Sequence, residues 1–70
     1  MKMVVEKNDV VLMFLELLDV LDEDPWDSRN TFMSGAQGII CAIRAIADNA
    51  NEAEDWAIEE MDRRRDERYA

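Results

Sequence analysis

The sequence predicts an all-α protein, and three observations predict it. Apolar residues recur at helical spacing in two long stretches. No stretch of strand length alternates polar and apolar residues. Glycine and proline, the commonest chain breakers, are nearly absent, with only Gly35, Gly38 and Pro25 in 70 residues. The architecture expected is a helical hairpin of a short apolar helix, an acidic turn and a long heptad helix, pairing with a second copy into a four-helix bundle. The alternative is a three-helix bundle with a break near Asn49. Residues 1–70 form one domain in either case.

The first helix is expected over residues 9–23. Asn8 or Asp9 supplies an N-cap, because a short polar side chain accepts from a free backbone N–H of the first turn. Val10, Met13, Phe14, Leu17, Leu18 and Leu21 follow the i, i+3, i+4, i+7 spacing of one buried face. Val11, Leu12, Leu15 and Val20 extend the apolar surface beyond it, leaving a narrow polar stripe at Asp9, Glu16, Asp19 and Glu23. One partner helix cannot cover so wide an apolar surface, which is the sequence argument for a homodimer.

The turn is expected at residues 24–27, within Asp22-Glu23-Asp24-Pro25-Trp26-Asp27-Ser28. Pro25 disfavours helix at Asp24 and lacks the donor that a continuing helix needs. Asp27 or Ser28 caps the next helix.

The remainder, residues 28–65, carries a heptad seam. Phe32, Ile39, Ile46 and Ala53 are seven apart, and so are Ala36, Ile43, Ala50 and Ala57. This a/d register is unbroken across Asn49 and Asn51, so one long helix is expected despite two weak helix formers. The core or dimer residues read from both helices are Phe14, Leu17, Leu18, Leu21, Phe32, Ile39, Ile43, Ile46 and Trp56.

Composition narrows the function. The net charge of −9 opposes direct nucleic-acid binding, which needs a basic face, and docking on anionic membranes. It suits a basic protein partner. Charge is unevenly spread: residues 29–47 hold no acid and two arginines, whereas 1–28 hold eight acids and 48–70 hold nine. No apolar run approaches a membrane span, and acid follows the start too soon for a secretory signal. A cytoplasmic location is expected, with Cys41 reduced. Histidine is absent and Cys41 is the only cysteine, which removes the commonest metal ligand, the usual neutral-pH base and any intrachain disulfide. No cofactor or metal is expected.

Several motifs have a plain structural reading. Glu16 with Asp19, Glu52 with Asp55 and Glu59 with Asp62 are E-x-x-D pairs able to share Mg²⁺. They resemble pairs used by all-helical nucleotide pyrophosphohydrolases, but acids make up 17 of the 70 residues and no basic cluster beside Glu16 would hold a phosphate. Asp22, Asp24 and Asp27 lack the glycine and closing glutamate of a calcium loop. Arg63, Arg64, Arg65 and Arg68 fit pairing of Glu59 with Arg63 and Glu60 with Arg64, plus the negative helix end. Cys41, opposite the seam, reads as a small apolar filler, and Trp56 as a cover for the first helix or a dimer mate.

The function expected is therefore a small acidic protein-binding module, not an enzyme. It fits an inhibitor or regulator of a host protein, of the kind mobile elements encode, with mimicry of nucleic acid in a basic groove as its sharper form. The candidate partner-binding residues are Asp22, Glu23, Asp24, Trp26, Asp27, Glu52, Asp55 and Glu59, with packing of Trp26 over the helix junction as its structural reading. A structural dimerisation module is the alternative, and a fragment of a Mg²⁺-dependent hydrolase the remote one.

Overall fold

The computed structural model describes residues 1–70 and consists of α1 (Lys7–Asp22), α2 (Arg29–Ile46) and α3 (Ala50–Arg68). The protein is all-α, in the three-helix form. α1 and α2 run antiparallel through the acidic turn, and α3 returns alongside both. No helix is long and apolar enough to cross a membrane.

α1 starts two residues earlier than expected. Its N-cap is Glu6, whose backbone N–H donates to Asp9 Oδ2 at 2.9 Å, so Asp9 acts from inside the first turn. α2 is capped by Ser28, whose hydroxyl oxygen accepts from the Thr31 N–H at 3.2 Å.

The single helix over 28–65 is not formed. α2 ends at Ile46, Ala47 is extended (φ −86°, ψ 129°), and α3 begins at Ala50. The cause lies at the other end of the chain. Met3 N–H donates to the Ile46 carbonyl at 2.8 Å, and Asp48 N–H donates to the Met3 carbonyl at 2.7 Å. The Asn49 side chain then holds Val5 from both sides, accepting from its N–H at 2.8 Å and donating to its carbonyl at 2.7 Å. The N-terminal segment takes over backbone groups that a continuous helix would have used internally. Arg44, in the last turn of α2, pairs with Glu54 of α3 and closes the corner.

The heptad of the sequence runs across this corner, but the buried positions do not keep its register. Within α2 the straight helix drifts by about 20° per heptad from a 3.5-residue repeat. The core stripe accordingly runs Phe32, Ala36, Ile40, Ile43, Ala47. Ile39 is only half-buried and Ile46 is 37% exposed, so both leave the predicted seam for the rim. Phe14, Leu21, Phe32 and Ile43 are fully buried as expected, and Leu17, Leu18 and Trp56 pack against them from the edge. Val5, Val10, Ala53, Ala57 and Met61 complete the core. Gly35 permits the close approach of α1 to α2: a Cβ there would come within 2.5 Å of Leu17 Cδ1.

Ala50 is now the first residue of α3, where proline is tolerated, and its N–H has no backbone partner. Ala50→Pro should leave the thermal melting midpoint nearly unchanged. In an uninterrupted helix the same substitution would cost about 3 kcal/mol, and a loss of that size would restore the long helix.

Candidate protein-interaction surfaces

Two surfaces are presented rather than buried, the acidic tip and a groove between α1 and α2. At the tip, the chain leaves α1 with Glu23 as C-cap and turns through Pro25. Asp24 Oδ1 accepts from the Trp26 N–H at 2.8 Å, a local bond that sets the turn. The Trp26 carbonyl accepts from the Thr31 hydroxyl at 3.3 Å. The backbone around Trp26 is thus held on both sides, while its side chain is 82% exposed.

The turn is clamped from α3. Arg68 reaches Asp22 at 2.6 Å and Asp27 at 2.7 Å, and the Tyr69 hydroxyl donates to Asp27. Arg68 sits where the C-terminal ends of α1 and α3 meet, and both ends concentrate negative charge that a cation relieves. The acids of the tip therefore divide. Asp22 and Asp27 are engaged within the fold, whereas Glu23 and Asp24 have no cation partner.

The hydrogen bond from Tyr69, helped by Arg68 and opposed by burial, holds the Asp27 carboxyl below its ordinary value. Burial, then the neighbouring carboxylate, pushes the Tyr69 hydroxyl up. A carboxylate whose folded pKa is depressed adds stability that is complete above its unfolded pKa, about 3.9 for Asp, and is lost as pH falls through the folded value. The wild-type chain should thus melt above Asp27→Asn at pH 7, and the gap should close as the pH is lowered below about 4. Equal midpoints at pH 7 would show that the clamp contributes nothing.

The α3 acids lie elsewhere. Glu52, Asp55 and Glu59 are exposed at i, i+3, i+7 and lack cation partners, so they form one row on the outer face. Glu52 also accepts from Asn49 Nδ2 at 3.3 Å. From Glu52 to Arg68 is about 24 Å along the helix, so the row and the tip are separate patches. The arginine pairing differs from expectation. Glu60, only 6% exposed, takes both Arg63 and Arg64, and Glu59 takes neither. Burial would raise the Glu60 carboxyl, but the two guanidiniums outweigh it and hold it low. Cys41 is exposed and fills no core space. Trp56, half-buried, packs against the core and borders a hollow that Lys7 of α1 also lines. The E-x-x-D pairs acquire no third metal-ligating side chain.

The groove follows from the apolar excess of α1. α2 and α3 both pack on this helix, so it has two covering helices where the hairpin expectation allowed one within the chain. Even so, Leu12 remains 56% and Val20 66% exposed. The groove is lined by Met13, Glu16, Leu17 and Val20 from α1 and by Gly35, Gly38, Ile39 and Ala42 from α2. A second hollow, which adds Met3, Val5, Asp9, Leu12 and Ile46, shares Met13 and Glu16 with the first. Sequence reading found the apolar surplus but not the groove, because the groove depends on which face of α2 meets α1.

No protein-family model matches the chain, and no curated protein or solved structure matches it either.

Proposed function

We propose that the chain is a protein-binding module that offers Trp26, flanked by Glu23 and Asp24, to a basic surface of another protein. The observation that carries this reading is the exposure of Trp26 in a turn fixed by Asp24, Thr31 and the Arg68 clamp. A large aromatic held out in water gives the fold little and gives a partner a preorganised anchor. Tryptophan is enriched among the residues that dominate interface energies. Two carboxylates beside it, neither paired with a cation, steer a cationic partner and speed its approach. The module acts as an inhibitor or regulator by occupying that partner's surface, with no catalytic step of its own. Mimicry of nucleic acid is the sharper form of the reading, and the row Glu52, Asp55, Glu59 supports it with carboxylates spaced along one helix.

Affinity capture from the native host, followed by surface plasmon resonance on the captured protein, tests this. Trp26→Ala should raise the dissociation rate by about 30-fold, the equivalent of about 2 kcal/mol, at an unchanged melting midpoint. Glu23→Gln with Asp24→Asn should slow association and flatten the salt dependence. Unaltered kinetics in both variants would place the interface elsewhere.

A further inference from the structure

We infer that the α1–α2 groove is a docking site for an amphipathic helix of another protein, one whose flank carries lysine or arginine. This goes beyond the Trp26 reading, concerns a different surface and stands without it.

The groove has the size and the lining for such a guest. The two hollows lie next to each other, with Met13 and Glu16 lining both, and their linings span Val20 to Asp9 on α1, about 16 Å or three helical turns. Apolar walls of this length take the i, i+3, i+4, i+7 face of a helix. Met13 and Met3 are unbranched and adapt to the guest's side chains. Gly38 forms part of the floor, and a Cβ built on it meets nothing within 4 Å. Glycine is a poor interior helix residue, and no neighbour in this fold requires it at 38, unlike Gly35 against Leu17. The open floor lets a guest helix approach closely.

Charge selects the guest. The charged side chains that line the groove are Asp9 and Glu16, both carboxylates and neither paired with a cation in the chain. Covering them with a purely apolar helix would dehydrate Glu16, which has no partner in the chain, and the oxygen of Asp9 that does not accept from the Glu6 N–H. A lysine or arginine on the guest's flank meets that charge. A second copy of this chain does not: a two-fold interface sets a patch against itself, and four carboxylates would then share the interface with no base from either lining.

The test uses the full chain and a fluorescein-labelled synthetic helix of about 15 residues, with leucine at i, i+3, i+4, i+7 and lysine on its flanks. A counterpart replaces every lysine by glutamate. Fluorescence anisotropy should show the lysine peptide binding at least about tenfold tighter than its counterpart. Amide shifts in NMR should concentrate on Leu17, Gly35, Gly38 and Ala42 and spare the Trp26 indole. Gly38→Leu, which fills the floor, should abolish binding while the melting midpoint holds or rises. Glu16→Lys should reverse the preference between the two peptides. Equal affinity for both peptides, shifts outside the groove, or unchanged binding by Gly38→Leu would overturn the inference. So would a dimer in sedimentation equilibrium whose dissociation on dilution moves the same amides, because the occupant would then be a second copy.

Discussion

Phe32→Ala should remove about 3–5 kcal/mol of stability, most of what a chain of this length has at roughly 0.05–0.15 kcal/mol per residue. Phe32 is fully buried, and its ring connects the three helices. It lies 6.4 Å from the Phe14 ring of α1 and 5.7 Å from the ring of Tyr69, just past α3. Truncation loses the transfer free energy of the ring, the two aromatic contacts and the packing around the resulting cavity. Tyr69 would also lose the surface that positions its hydroxyl on Asp27, so the clamp at the tip should loosen with the core. Urea unfolding followed by circular dichroism gives the loss directly, and Phe32→Leu should retain more than half of it. A loss below about 1 kcal/mol would mean that the core is not organised around this ring.

Helix periodicity, Pro25 and the Ser28 cap made α1, the turn and the start of α2 legible in the sequence, because each depends on residues close together in the chain. The corner at Ala47–Asn49 was legible only as the alternative, a break near Asn49. Asn49 is an ordinary weak helix former until Val5, 44 residues away, supplies the backbone groups that its side chain holds. The heptad spacing hid the corner, since periodicity records which residues face a core and not whether the backbone between them is helical. The same limit applies to the tip. Local sequence marked Asp22, Glu23, Asp24, Trp26 and Asp27 as an acidic turn with an aromatic residue. It could not say that Arg68, from the far end of the chain, would engage Asp22 and Asp27 and leave Glu23 and Asp24 free. Pairing on α3 failed for a third reason. Glu59 and Glu60 both have an arginine four residues on, and only burial of Glu60 against the core decides which one gathers the cations.

Asn49→Ala should cost about 2–6 kcal/mol, from one backbone donor and one acceptor left without a partner at about 1–3 kcal/mol each. Val5 is 2% exposed, so water cannot readily replace the amide that the Asn49 side chain provides. The usual penalty for removing an N-cap does not add to this. Asn49 is the N-cap residue of α3 by position, but its side chain makes no capping bond, being turned to Val5 instead. The loss should therefore appear first as release of the N-terminal segment and not as fraying of α3. Once Val5 is freed, the pairing of Met3 with Ile46 and Asp48 has nothing to hold its register. Hydrogen exchange separates the two outcomes: the amides of Met3, Val5 and Asp48 should lose protection far more than those of Ala57 and Met61 in the middle of α3. Asn49→Asp should not rescue, since a carboxylate still accepts from Val5 N–H but opposes its carbonyl with negative charge beside Asp48 and Glu52. If the Val5 amide kept its protection in the alanine variant, the corner would be held by the core packing of Val5 and Ala47 alone, and the side chain of Asn49 would be dispensable to the fold.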